Sequence, residues 1–184
     1  EDAETDNVPC FGSFRVANIK GNKTLMNYYT GFDSYDRFWY VLICLGPAAY
    51  ELCSKSPSPL DAENEFFLTL MKLRRNKEDD ELSFFFGITK HFVHSIFRTW
   101  VAFLYYELKD INTWLSRDIV NEHMPNMFKK QYPSTRVIID GTEIPIIKPT
   151  NVKNQAATWS TYKNRNTLKV LVGISPKGVV TFIS

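Results

Sequence analysis

The sequence has few cysteines and no long apolar segment. Its three cysteines, Cys10, Cys44 and Cys53, lack the closely spaced pairs typical of zinc sites and show no pattern of a disulfide framework. We therefore expect reduced thiols in an intracellular protein. The longest uninterrupted apolar run, residues 38–45, is too short to cross a bilayer, so no membrane association is expected.

Acidic residues are missing from the last part of the chain. Residues 144–184 contain neither Asp nor Glu, and residues 119–184 as a whole carry a net charge of +6. Residues 1–60 and 61–118 each carry −2, so the net charge of +2 conceals an uneven distribution. A phosphate backbone would bind such a basic region, although an ordinary solvated basic surface is an equally simple interpretation.

The N-terminal third divides at a proline-rich break. Residues 1–22 are polar and acidic at the start, which predicts a flexible leader. A plausible N-cap at residues 33–36 opens an apolar helix over residues 37–45, and Gly46-Pro47 ends it. Because that helix is apolar nearly all the way round, we expect it to be buried. Residues 54–59 read as a boundary, which makes residues 23–59 a helical connecting segment.

Residues 60–117 predict three consecutive helices. Asp61 is placed to cap the first, a short second helix begins at Asp79 or Asp80 and breaks at Gly87, and Thr89 can cap a longer third. A helix, a short helix, a glycine turn and a helix with one polar face are the parts of a helix-turn-helix.

The third helix has a polar stripe opposite its apolar one. The stripe contains Lys90, His91, His94 and Arg98, which could contact DNA in a major groove. Any surface helix also has a solvated face, and the acidic run 78–81 beside this helix counts against strong DNA affinity. His91 and His94 lie one turn apart but lack a third ligand, so a metal site there is not favoured.

Residues 118–184 predict a short helix followed by strands. The helix falls around residues 120–124, and the apolar run 137–139 forms a strand with Asp140 at its end. Residues 167–175 and 179–183 form a hairpin across a turn with proline second and glycine fourth, and the Asp140 strand is its natural third partner. The intervening residues 151–166 are polar.

Four motifs in this region carry a family resemblance: residues 136–143 (RVIIDGTE), 160–163 (STYK), 166–169 (NTLK) and 173–178 (GISPKG). Together they resemble the start of the DDE domain of PIF/Harbinger-type transposases. Residues from about 60 to 114 resemble the helix-turn-helix region that precedes it, and residues from about 23 to 53 resemble a connecting segment of animal members. The resemblance implies an α+β chain, in which an N-terminal helical region precedes the first strands of an incomplete RNase H-like α/β domain over 118–184.

The resemblance also implies three acidic residues that hold divalent metal, Mg2+ or Mn2+, and the first of these falls on Asp140. Asp140 would then be both metal ligand and catalytic residue, although an ordinary turn-former ending a strand is the alternative. Glu143 recurs beside the first acid, but strand alternation turns it to the opposite face, so it would at most help to shape the site. Lys163, Arg165 and Lys169 are candidate phosphate contacts.

The functional expectation is a fragment of a metal-dependent DDE transposase, or of a nuclease derived from one, that cleaves and joins DNA. Because residues 144–184 supply no further carboxylate, we expect the fragment to be inactive alone. The alternative is a domesticated DNA-binding or scaffolding protein without catalysis. DNA is the expected partner in either case, with self-association or an accessory DNA-binding protein as further possibilities, and the expected location is the nucleus.

Overall fold

The structure is a computed structural model, and residues 12–52 and 58–184 of it are described here. Cys10, Cys53 and most of the expected boundary at 54–59 lie outside these residues. The chain divides after Asp110 into a first unit and a second unit, residues 111–184, each with its own internal contacts.

The described part of the first unit is helical. It contains a short 3-10 turn, Val16–Asn18, and then α1 (Lys23–Thr30), α2 (Tyr35–Cys44), α3 (Ala48–Glu51), α4 (Ala62–Arg75), α5 (Asp79–Phe86) and α6 (Lys90–Leu108). The cap residues expected from the sequence begin three of these helices. Ser34, Asp61 and Thr89 each accept a hydrogen bond from the backbone N–H three residues further on. Helices α4, α5 and α6 form the predicted helix-turn-helix region.

Helix α4 lies at the centre of the first unit and packs against α1 and α6. The Phe66 ring stacks on Phe38 of α2 at 5.2 Å and lies 5.3 Å from Trp100 of α6. The neighbouring Glu65 is buried, and its carboxylate accepts hydrogen bonds from Trp100 Nε1 at 2.8 Å and from the Ser58 hydroxyl. Aromatic packing and a paired buried carboxylate thus join three segments of this unit.

The described end of the expected leader, residues 12–22, is part of this core. Phe14, Val16 and Ile19 are buried, and the Gly12 N–H donates to the Phe84 carbonyl at 2.8 Å. The prediction of a flexible leader is therefore wrong for these residues. Three apolar side chains among small polar ones are enough to anchor the segment once α4 and α5 supply a surface for them.

The segments expected at 23–59 and 60–117 also share one core, so the structure does not separate them at residue 59. The expectation that α2 is buried all round is wrong as well. Phe38 and Leu42 are buried, but Tyr40 is 68% exposed and Ile43 is 51% exposed. Helix α4 covers only one face of α2, and within the first unit the described residues leave the opposite face open.

The second unit opens with two short helices, α7 (Arg117–Glu122) and α8 (Asn126–Gln131). The sequence predicts the first and not the second, which follows Pro125 as its N-cap, a position where the missing backbone N–H costs no helical hydrogen bond. The other elements are β1 (Ile138–Pro145), α9 (Val152–Thr158), β2 (Trp159–Ser160), β3 (Arg165–Ile174) and β4 (Val180–Ile183). The polar connection 151–166 thus contains a helix, begun by Asn151, whose side chain accepts from two backbone N–H groups.

Strand β3 is the centre of the sheet. It pairs antiparallel with β1 on one side and with β2 and β4 on the other, so β1 is an edge strand among the described residues. The β3–β4 turn is the one predicted: the Gly178 N–H donates to Ser175 O at 2.8 Å, and Gly178 has a φ of +91°. An α+β chain, helical first and then a small antiparallel sheet, is confirmed. None of the described helices is long and apolar enough to cross a membrane.

Candidate functional site

The polar stripe of α6 reaches solvent as predicted. Lys90, His91, His94 and Arg98 are all exposed on this helix, which Thr89 caps. Their opposite neighbours Val93, Ile96 and Trp100 are buried in the first unit. The alternation of buried and exposed positions therefore leaves one solvent-facing row of basic and imidazole side chains.

Two members of that row already face carboxylates from α5. Lys90 Nζ lies 2.7 Å from Asp80 Oδ2, and His94 Nδ1 lies 3.7 Å from Asp79 Oδ2. The bond to Asp80 raises the pKa of the Lys90 ammonium above its ordinary value. The acidic first turn of α5 therefore compensates Lys90, and it would compensate a protonated His94. His91 and Arg98 have no ion-pair partner in the ranges that the structure covers.

Asp79 is the most constrained of these acids. Its Oδ1 lies 2.5 Å from the Lys72 ammonium of α4, and this hydrogen bond lowers the pKa of the Asp79 carboxyl below its ordinary value. The charges of Lys72, His94 and Lys90 lower it further, while partial burial opposes them. Asp79 thus joins α4, α5 and α6 electrostatically, a role that the acidic run 78–81 did not reveal by itself.

Asp140 lies within β1, as its third residue, and not at the end of the strand as predicted. The pairing of β1 with β3 continues through Pro145, opposite Thr167, so Asp140 sits opposite Val172. Its side chain is exposed, and its Oδ1 accepts the Gly141 N–H at 2.9 Å. Long-range pairing extends the strand past the apolar run from which the sequence placed its end.

The register of β1 and β3 divides their side chains between two faces, because successive residues of a strand point to opposite sides. We name these the Asp140 face and the Glu143 face. The Asp140 face carries Ile138, Asp140, Thr142 and Ile144 of β1 with Leu168, Val170, Val172 and Ile174 of β3. The Glu143 face carries Ile139, Gly141 and Glu143 of β1 with Arg165, Thr167, Lys169 and Leu171 of β3.

Glu143 is held by hydroxyl groups on its own face. Its Oε2 accepts from Thr167 Oγ1 at 3.2 Å. Hydrogen bonds from Ser160 and then Thr167 lower the pKa of the Glu143 carboxyl below its ordinary value, and the nearby Lys169 and Lys163 charges lower it further. The structure therefore places Glu143 on the other face of the sheet from Asp140, as strand alternation requires. The groups around the Glu143 carboxyl favour its charged form.

The basic residues predicted to contact phosphate do not surround Asp140. Arg165 and Lys169 lie on the Glu143 face of β3, and Lys163, in the turn before β3, is close enough to act on Glu143. The partners of Asp140 on its own face are apolar residues and Thr142. The metal-ligand candidate and the predicted phosphate contacts are therefore on different sides of the sheet.

Asp140 is the single carboxylate on its own face of β1 and β3. Nowhere in residues 12–52 and 58–184 do three or more His, Cys, Asp or Glu side chains gather as a metal site would require. Asp140 offers one hard oxygen ligand in an exposed position, which fits Mg2+ as one member of a larger ligand set.

A groove beside β3 is not among the sites predicted from the sequence. It is formed by Lys148, Val152, Gln155, Ala156, Trp159 and Asn166 and has a volume of about 310 Å3. The signal that could have found it is Trp159, a large aromatic residue in the middle of the polar connection 151–166, which contains no acidic residue.

Comparison with known families matches two parts of the chain. Residues 58–110 match the family described as the helix-turn-helix of DDE superfamily endonuclease, and residues 139–184 match the DDE superfamily endonuclease family. No curated protein and no solved structure gave a match. The first match covers α4 to α6, and the second covers β1 to β4 with Asp140 in it. The chain therefore combines a transposase-type helix-turn-helix with a DDE endonuclease segment, which is consistent with a DDE superfamily transposase.

Proposed function

We propose that the chain is part of a metal-dependent DDE transposase, or of a nuclease derived from one, that cleaves and joins DNA phosphodiesters. The observation that carries this proposal is the position of Asp140. Its carboxylate is exposed on the sheet, inside the segment that matches the endonuclease family. An ordinary turn residue ending a strand would not lie in the third position of an eight-residue strand.

Asp140 is proposed as a metal ligand and catalytic residue. One of its oxygens accepts only the adjacent backbone N–H, so the carboxylate remains able to coordinate a cation. DDE superfamily endonucleases generally use divalent metal ions, and we propose Mg2+, with Mn2+ as a substitute. Such ions, when bound, stabilise the attacking and leaving oxygens at a scissile phosphate. Asp140 itself would orient the ion on one face of the sheet.

The isolated 184-residue chain is proposed to be inactive. A three-carboxylate site needs two acids near Asp140, and the nearest acid along the strand, Glu143, points to the other face. A single carboxylate binds Mg2+ weakly, since this ion keeps several waters and is usually held by two or more anionic groups. Glu143 is therefore proposed to hold β1 against the β2–β3 hairpin and not to bind metal.

DNA contact is proposed for both units. In the first, His91 and Arg98 are the members of the α6 row that have no acidic partner among the described residues, whereas Lys90 and His94 would first have to leave α5. In the second, Lys163, Arg165 and Lys169 form a basic cluster on the Glu143 face. A phosphate backbone there would run on the side of the sheet opposite Asp140, which favours a role in positioning DNA.

A domesticated DNA-binding or scaffolding protein is the second candidate function. The internal compensation of Lys90 and His94 favours its scaffolding form, because an α6 row in which two of four members already face carboxylates is a weak electrostatic partner for DNA. Membership of the PIF/Harbinger group, nuclear location, and self-association or an accessory DNA-binding protein are further parts of our proposal, supported by the sequence motifs described above.

The direct test is Asp140→Asn in the full-length protein, assayed for metal-dependent cleavage of DNA and for DNA binding. Cleavage should fall by about 100-fold or more, because loss of a group that merely orients a metal ligand already costs about 10- to 100-fold. DNA binding should be unchanged. Glu122→Gln, an exposed carboxylate on α7, is the matched control and should retain cleavage. Full cleavage by Asp140→Asn would refute the assignment, and a wild-type protein that binds DNA without cleaving it would favour the second candidate.

A further inference from the structure

The groove named above has a large aromatic side chain on an accessible wall. Trp159 is 50% exposed, although it belongs to the short strand β2 and pairs with Asn166 of β3. The groove volume of about 310 Å3 is at the lower end of the range for small-ligand sites, roughly 300 to 1,000 Å3. The exposed indole ring of Trp159 therefore offers a flat stacking surface inside a concave site.

The groove also contains one basic and two amide side chains, next to the apolar Val152 and Ala156. Lys148 is exposed and has no ion-pair partner in the parts of the chain that the structure describes. Asn166 Nδ2 donates to the Gln155 carbonyl and to Thr158 Oγ1, both at 2.8 Å, and Gln155 Nε2 donates to Pro149 O at 2.8 Å. These bonds fix both carboxamides through their nitrogens, with Asn166 buried and Gln155 partly exposed.

The lining distinguishes between kinds of occupant. Covering the Lys148 ammonium group with an apolar protein surface is unfavourable, because a buried unpaired charge is costly. An anion with a flat ring system fits both the basic and the apolar side chains of the lining. Its ring can stack on Trp159 and contact Val152 and Ala156, and its negative charge can approach Lys148.

From this lining we propose that the groove binds one unpaired nucleotide of a DNA strand, with the base stacked on Trp159 and the phosphate beside Lys148. Stacking on an aromatic side chain near a basic group is how proteins hold single-stranded nucleic acid without reading its sequence. The proposal rests on the proposed function for its choice of DNA. The lining residues themselves are consistent with any single-stranded nucleic acid.

The position of the groove relates it to Asp140. Trp159 pairs with Asn166, and Asp140 pairs with Val172, six residues further along β3. Because side chains alternate between faces and six is an even number, Trp159 and Asp140 lie on the same face of the sheet. Their separation along β3 is about 20 Å at 3.3 Å per residue. A DNA end whose last nucleotides are unpaired can therefore lie along the Asp140 face with one base held at Trp159.

The test compares two labelled DNAs, a blunt duplex and the same duplex with a short unpaired thymine overhang, binding to the full chain by fluorescence anisotropy. The wild type should prefer the overhang. Trp159→Ala should weaken overhang binding by about tenfold, since a stacked base is worth about 1–3 kcal/mol and 1.4 kcal/mol is tenfold. Binding of the blunt duplex should change by less than about twofold. Trp159→Phe, which keeps a stacking ring, should retain most of the preference.

Tyr132→Ala is the matched control, because Tyr132 is an exposed aromatic of the same unit outside the groove. It should leave the overhang preference intact. Lys148→Ala should weaken binding of the overhang DNA and reduce the slope of its salt dependence by about one phosphate contact. An overhang preference that survives Trp159→Ala overturns the proposal, and so does an equal loss of binding to both DNAs or a wild type without preference.

The result is separable from the outcome for Asp140. Asp140→Asn should keep the overhang preference, because the carboxylate lies about 20 Å from the groove. If Asp140→Asn cleaves DNA normally while Trp159→Ala loses the preference, the nuclease proposal fails and the nucleotide groove stands. If Asp140→Asn abolishes cleavage while Trp159→Ala keeps the preference, the nuclease proposal stands and the groove is wrong.

Discussion

The two units of this chain use their apolar side chains in different ways. In the first, α4 is covered from several sides, and Phe66, Phe67 and Trp100 are almost fully buried. In the second, the sheet leaves apolar residues open on both faces, with Ile139 56% exposed and Leu168 55% exposed. The first unit therefore has a core of its own, whereas the sheet of the second has the incomplete covering expected of part of an α/β domain.

This difference has a consequence for reading function. In the first unit, the Asp79 and Asp80 carboxylates are held by cationic partners, whereas His91 and Arg98 have no such partner among the described residues. In the second unit, Asp140, Lys148 and Trp159 are exposed. Both units therefore keep accessible charged side chains, and those of the second lie on a sheet whose two faces are partly open.

The largest expected effect tests whether the first unit depends on its own core. Phe66→Ala should lower the free energy of unfolding of that unit by about 3–5 kcal/mol, because it removes a ring packed between Phe38 and Trp100. Leu168→Ala, on the open sheet, should cost less than about 1 kcal/mol. Chemical denaturation, monitored in each unit by hydrogen exchange, measures the loss of stability in the two variants. Equal costs would remove the contrast between the units.

A smaller loss of stability is expected from glycine-to-alanine substitutions. Comparing three glycines separates the cost of a positive φ from the cost of a close contact. Gly87 has a φ of +66°, and an added Cβ would lie 2.4 Å from the Gly12 carbonyl oxygen. Gly87→Ala should therefore cost about 1–3 kcal/mol, and more than Gly46→Ala, whose φ is also positive but whose Cβ would meet open space. In the sheet, Gly141→Ala should be nearly neutral, because neither condition holds there. Thermal unfolding of the three variants ranks them, and a Gly87 variant no worse than the Gly46 variant would contradict the close approach.

The smallest effect concerns pH. The pKa of Asp79 is lowered in the folded state, so its charge stabilises the first unit above its unfolded pKa, about 3.9, and this contribution is lost as pH falls through the folded value. Asp79→Asn should therefore flatten the decline in stability below about pH 4 and lower stability at neutral pH. Hydrogen exchange in α4 between pH 6 and 3 measures this. The same slope in wild type and variant would show that Lys72 does not hold the carboxylate.

Local signals in the sequence predicted the local structure. Asp61 and Thr89 begin the helices for which they were predicted, and Ser34 begins α2 from within the predicted N-cap stretch 33–36. An N-cap depends on a side chain and a backbone N–H only three residues away. The β3–β4 turn is equally local, with proline and glycine in fixed places. These features follow from neighbouring residues and need no knowledge of the rest of the fold.

What the sequence could not predict depends on distant partners. The burial of Phe14 and Val16 requires α4 and α5 to supply a surface, and the extension of β1 past Asp140 requires β3 beside it. The predicted metal ligand and the predicted phosphate contacts lie on different faces because of the strand register. That register pairs Lys169 with Glu143, and both side chains point away from the face that carries Asp140. Sequence motifs identify the residue types, and pairing decides which of them meet.

Strand β1 lies at the edge of the sheet and can therefore pair with one more strand. Its backbone is paired with β3 on one side, so among the described residues the donors and acceptors of its other side are open to a further strand. Any strand that joins there will run about 4.8 Å away, and side chains that it directs to the same face will stand next to Asp140. Main-chain pairing of a further strand with β1 would thus place additional metal-ligating side chains beside Asp140. They would be close enough to coordinate the same ion.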